Sequence, residues 1–266
     1  VELGIAVPPQ NRLRNAIRLL ARTNVPGTVI PAGDDMYLAQ LADAQRTILE
    51  QVTIVRATPP RDRLSPEHQA KLAEMLGGAD LEANERNPLA RNTQFELYIA
   101  ATLAMGGALI RFAEPDVRLM YAGRDVGIAA KRVTSPAQIR RRTLAAAEQI
   151  ARAGGGGFIA LNLDILVKGM SVETAEEQER VAFNSYMAPL DRVEAELVDR
   201  NHVLGTFVFA NAAQWSFGGV RPRFRISTYR RFWPLPKSRE DLATFEQFTR
   251  DLFATLAPRA STIYGP

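Results

Sequence analysis

Glu114-Pro115-Asp116-Val117-Arg118-Leu119-Met120-Tyr121-Ala122-Gly123-Arg124-Asp125-Val126-Gly127-Ile128-Ala129-Ala130-Lys131 is the stretch whose reading decides the fold. Apolar residues alternate on either side of a glycine, so it reads as a β-hairpin. With Gly123-Arg124 as a two-residue turn, Asp116 sits opposite Lys131 and Arg118 opposite Ala129. Val117, Leu119, Tyr121, Val126, Ile128 and Ala130 then share one face, the core side. Asp116, Arg118, Met120, Gly127, Ala129 and Lys131 share the other, a polar floor with two small residues. A one-residue slip would scramble that sorting, so the hydrophobic pattern itself argues for the register.

Outward from the hairpin, Asn87 to Leu103 reads as a capped helix, with Asn92 as N-cap and Phe95, Ile99 and Leu103 on one apolar face. Gly106-Gly107 ends it, and Ala108 to Phe112 forms a short strand. Downstream, Ser135-Pro136-Ala137-Gln138 has the form of a capping box with proline at the first helical position. Its helix runs to about Arg152, the Gly154–Gly157 run stops it, and Phe158 to Leu166 has the character of a buried strand. The glycine run lacks a trailing Lys-Ser/Thr and reads as a helix C-cap, not a phosphate loop.

Lysine is scarce: Lys71, Lys131, Lys168 and Lys237 stand among 33 basic residues. A lysine within a small-residue strand is therefore a specific choice of chemistry, a compact charge able to contact one water or one phosphoryl oxygen. Its plainer role is a cross-strand pair with Asp116, contributing roughly 0.2–1 kcal/mol to the hairpin.

The order helix, strand, hairpin, helix, strand, with an Asp before the hairpin and a Lys in its second arm, resembles the PD-(D/E)XK nuclease superfamily over residues 87–167. The resemblance implies an α/β, restriction-endonuclease-like mixed central sheet with an αβββαβ core. It matches Pro115-Asp116 to the Pro-Asp pair, Lys131 to the lysine, Glu96 to the helix acid and Gln149 to a supporting glutamine. Those four are the implied catalytic residues, with Asp116 and Glu96 holding Mg²⁺ or Mn²⁺. Ala129 departs from the pattern by standing where the second acid belongs. Two readings follow: a metal-dependent nuclease acting on DNA phosphodiester bonds, and a catalytically inactive relative that binds nucleic acid or a protein partner. If position 129 lies on an open floor, Ala129→Glu would add a carboxylate beside Lys131 and strengthen metal binding.

In the nuclease reading, Asp116 anchors the metal, Lys131 orients water or stabilises transition-state charge, and Gln149 holds the lysine or a phosphate. A formal charge of +4 and a pI near 9.6 agree with a polyanion partner such as DNA. Arg140 and Arg141 in the second helix, and Arg223 and Arg225 on one side of a C-terminal strand, are the candidate nucleic-acid contacts. Association with a second copy of the chain is left open.

The remaining composition sets bounds. With 46% hydrophobic residues the chain can bury a full core. Zero cysteines exclude disulfides and thiolate zinc sites, and two histidines, His68 and His202, leave no multi-histidine centre. His68 reads as a surface residue at a helix start. No apolar run suits a bilayer, and the expected setting is cytoplasmic. Residues 1–86 read as an N-terminal helical region packed on the core, with helices over 11–23, 34–54 and 65–76. Residues 87–266 read as the α/β domain with a C-terminal strand and helix extension: a charged helical pair over 171–200, a strand from Val203, and a closing helix over 238–256 whose inner face carries Leu242, Phe245, Phe248 and Leu252.

Overall fold

A computed structural model describes residues 5, 11–23, 35–79, 85, 88–121, 123–167, 176–216 and 223–256. Three N-terminal helices, α1 (Arg12–Thr23), α2 (Asp35–Ala57) and α3 (Pro66–Met75), precede the sheet, with a 3₁₀ turn at Arg61–Arg63 after Pro59-Pro60. Ser65 caps α3 by accepting from the His68 amide at 3.2 Å, with Pro66 at the first helical position. Then come α4 (Leu89–Met105), β1 (Ile110–Arg111), β2 (Val117–Tyr121), β3 (Arg124–Arg132), α5 (Gln138–Ala153), β4 (Gly156–Asn162), α6 (Asp164–Val167), α7 (Glu176–Leu197), β5 (Val203–Ser216), β6 (Arg223–Pro234) and α8 (Arg239–Leu256).

The chain is an α/β protein with one mixed six-stranded sheet in the order β1-β2-β3-β4-β5-β6. β3, β4 and β5 are parallel neighbours, and the outer pairings are antiparallel. Period-two alternation sends Phe158 and Ala160 of β4 to the face covered by α4 and α8, and Ile159 and Leu161 to the face covered by α5 and α7. In β5 the parity flips: Leu204, Phe207 and Phe209 all face α4 and α8, because the register against β4 shifts at Gly157/Phe158. Phe248 of α8, fully buried, stacks on Phe158 at 4.2 Å between ring centres and closes that layer. A third core joins α2, α3 and α4 through Ile54, Leu72, Met75 and Leu97.

The hairpin keeps the expected faces and changes its register. Val117 pairs with Ile128, Arg118 with Gly127 and Tyr121 with Arg124, so the turn falls one residue earlier than Gly123-Arg124. Gly123 takes a φ of 77°, the left-handed conformation that glycine adopts freely. Every pair is thereby displaced by two residues, an even shift that leaves each side chain on its own face. Continuing the ladder by one step places Asp116 level with Ala129, and Lys131 lies diagonally beyond.

Other boundaries differ for local reasons. Helix α4 begins at Leu89, with Pro88 at the cap position, so Asn92 lies inside the helix. Ser135 and Pro136 form a turn whose carbonyls accept from the Gln138 and Ile139 amides, and α5 starts at Gln138 without a side-chain cap. Gly154 ends α5 at a φ of 74°, but Gly156 and Gly157 belong to β4. A Cβ at Gly157 would stand 2.7 Å from the Gly127 carbonyl oxygen, so close packing explains the longer run. The strand ends at Asn162, and Asp164 starts the short α6. Pro189 sits within α7, a single helix where a pair was expected. Leu242 is exposed on α8, whose inner face carries Asp241 and Thr244 beside Phe245, Phe248 and Leu252. No helix among the described residues is long and apolar enough to cross a membrane.

Candidate active site

β2 and β3 place Asp116 and Lys131 at one end of the hairpin, where the Lys131 ammonium donates to Asp116 Oδ2 at 3.0 Å. The Ala130 amide donates to the same oxygen at 2.8 Å, fixing the carboxylate against β3. Across the interface, Gln149 on α5 donates from Nε2 to Asp116 Oδ1 at 2.9 Å, to Glu114 Oε2 at 3.0 Å and to the Pro115 carbonyl. The glutamine therefore holds the carboxylate, where the sequence left the lysine or a phosphate as its partner. Asp116 keeps 14% and Lys131 18% of its side-chain surface exposed.

Two packing devices hold the Pro-Asp segment in place. Pro115 lies over Gly127, where a Cβ would come within 2.6 Å of the proline ring. Arg118, buried beneath, pairs with Asp125 at 2.9 Å and donates to the carbonyls of Glu114, Ala153 and Gly154. It ties the hairpin to the end of α5.

Glu96 enters from α4. Its carboxylate is ion-paired with Lys71 of α3, and its charge acts on Asp116. The Lys71 ammonium also stands over the Phe112 ring, 5.6 Å from its centre. Phe112 meets the His68 ring edge-on at 4.8 Å, and both line a largely apolar cleft of about 490 Å³ between α2, α4 and β1. His68 is thus half-buried, not a surface residue, and burial lowers its pKa. Lys71 is the site residue that sequence reasoning missed, and Glu114, two positions before Asp116, is set aside in the sequence reading because it could share a face with Asp116 only if the strand ran back past Pro115. The scarcity of lysine was the available signal for Lys71, whereas Glu114 is reached only through the glutamine.

Burial pushes the Asp116 carboxyl up to about 6; Lys131 opposes that rise and Glu96 adds to it by like-charge repulsion. A carboxyl raised on folding stabilises the fold fully below its ordinary value of 3.8, and that contribution is lost as pH rises through about 6. Between those limits the metal-free protein should lose roughly 3 kcal/mol that Asp116→Asn does not lose. Carboxyl NMR should place the Asp116 midpoint near 6, and higher in Lys131→Met; a midpoint at the ordinary value in both proteins would refute the assignment.

The floor is not open at its centre. Ala129 is fully buried in the core that includes Ile139, Ala146, Ala147 and Ile150 of α5, so a helix covers the position where a second acid was sought. Among the described residues no group of three or more His, Asp or Glu side chains is gathered as for a metal ion. Arg140 is exposed but makes a two-pronged pair with Glu196 of α7, both contacts at 2.8 Å, while Arg141 is exposed. The side chains of Arg223 and Arg225 lie outside the described ones; their backbone belongs to β6. On the same strand, Arg231 turns to Asp191 and Glu194 of α7 and covers the Trp233 ring. Set against known proteins, the chain matches no family model, no curated protein and no solved structure.

Proposed function

We propose that this protein is a metal-dependent nuclease of the PD-(D/E)XK type acting on DNA phosphodiester bonds. The observation that carries the reading is the Asp116 carboxylate, held by Lys131 and the Ala130 amide on one oxygen and by Gln149 on the other. The series α4, β1, β2, β3, α5, β4, with an antiparallel hairpin and a parallel fourth strand, supports a restriction-endonuclease-like core.

The donor set suits one hard cation. Mg²⁺ takes one or two carboxylates together with waters and substrate oxygens, and Glu96 lies near enough to Asp116 for its charge to act on it. These two residues would hold Mg²⁺ or Mn²⁺, which supplies an activated water and screens charge on the phosphate. Lys131, one hydrogen bond from Asp116, is positioned to orient the attacking water or to donate to a phosphoryl oxygen as its charge grows. Gln149 keeps the carboxylate turned toward the lysine, and Lys71 holds Glu96.

A second reading, a DNA- or protein-binding relative without catalysis, is favoured by the burial of Ala129, which leaves no room for a third acid there. Incubation with plasmid and oligonucleotide DNA in Mg²⁺ or Mn²⁺, with EDTA as control and calorimetric metal titration alongside, separates the two. Cleavage that EDTA and Asp116→Asn both abolish is the expected result. Absence of metal binding and of cleavage at high protein concentration would leave only the binding reading.

A further inference from the structure

Four arginines from separate elements, Arg12 of α1, Arg46 of α2, Arg91 of α4 and Arg132 of β3, are buried within electrostatic reach of one another. Arg46 is paired with Asp43 and Asp164, at 3.1 and 3.2 Å, and Arg91 with Glu85 at 3.4 Å. Arg12 differs from these. Its Nη2 donates to the Met75 carbonyl at 3.0 Å and to Gln94, but Nε and Nη1 are buried with no hydrogen-bond partner. The residue is 1% exposed; burial together with Arg91 lowers its pKa to about 9, against the buried Glu50 carboxyl, whose charge acts in the opposite sense. A buried guanidinium with unmet donors is costly unless something supplies an acceptor.

Arg12 lines a cleft of about 500 Å³ whose other polar lining comes from Asn15, Arg18, Arg22, Gln40 and Thr47, with no acid among the described lining residues. Arg18 and Arg22 are one helical turn apart on α1 and exposed. A concave site with a buried arginine and two more at its rim suits a compact, multiply charged oxyanion, since guanidinium groups match phosphate oxygens in geometry and charge.

We propose that this cleft binds a phosphoanion, which accepts from Arg12 at its base and from Arg18 and Arg22 at its rim. The ligand chemistry is shared by a nucleic-acid phosphate and by free polyphosphate. The site does not rest on the metal reading of Asp116.

Thermal-shift and calorimetric titrations at low salt with inorganic pyrophosphate, and with oligothymidylate with and without a 5′-phosphate, test it. Binding of at least one probe is expected, weakened about tenfold or more in Arg18→Gln/Arg22→Gln and further in Arg12→Gln. Preference for the 5′-phosphorylated strand assigns a strand end, and binding of pyrophosphate without either oligonucleotide assigns a free polyphosphate. If Arg12→Gln fails to fold, the exposed double variant decides. No binding of any probe, or binding that the double variant retains in full, overturns the proposal. Binding without DNA cleavage would remove the nuclease reading and leave this one standing.

Discussion

If the protein is the nuclease proposed above, Lys131→Met should lower DNA cleavage by roughly 100- to 1000-fold while leaving the protein folded, the scale seen when one preorganised donor to a developing charge is removed. Methionine keeps much of the lysine stem's volume, so packing against the hairpin survives and the ammonium alone is lost. The loss has two parts. On that proposal a donor to the phosphate is lost, and Asp116 is left without the cation that holds its carboxyl down, so a larger share is protonated at neutral pH. Rates measured across pH separate them: raising the pH recovers the second part and not the first. A variant that cleaves within about tenfold of the wild type at every pH would remove Lys131 from the chemistry.

Ala129→Glu should destabilise the fold by several kcal/mol and bring no gain in metal affinity. The sequence alone permits the opposite outcome, because alternation puts position 129 on the same side as Lys131. The structure decides through α5, whose Ile139, Ala146, Ala147 and Ile150 close over Ala129 and leave it no exposed surface. A glutamate there would have to ionise in a dry layer or force the helix away. Chemical denaturation reads the cost directly; unchanged stability with tighter Mn²⁺ binding would show that α5 is not seated as described.

The pairing of faces in the hairpin was legible because Val117, Leu119, Tyr121, Val126 and Ile128 alternate without a break. Its register was not, since a displacement of two residues sends no apolar side chain to the wrong side and the pattern cannot detect it. Asp116 and Lys131 still meet because a lysine stem spans a diagonal as readily as a direct opposition. Gln149 was legible as a residue near the site, but its partner was not, because spacing along α5 says nothing about which hairpin residue the amide faces. Nothing local in the sequence sets Arg12, Arg46, Arg91 and Arg132 apart from the other arginines; that they are buried is a tertiary fact no local pattern carries.

Gly127 has one consequence for how experiments on this site are interpreted. Because no side chain occupies that position, the Pro115 ring fills the volume a Cβ would take and rests on β3. The location of the Asp116 backbone along the hairpin is therefore set by this steric stop, by the Arg118 ties and by the ladder beside it, as well as by the contact with Lys131. Neutral replacements of near-equal size at 116 or 131 should leave the backbone where it was. What such variants lose can then be credited to the missing charge, and a substitution at 127 would be the one that changes the distance itself.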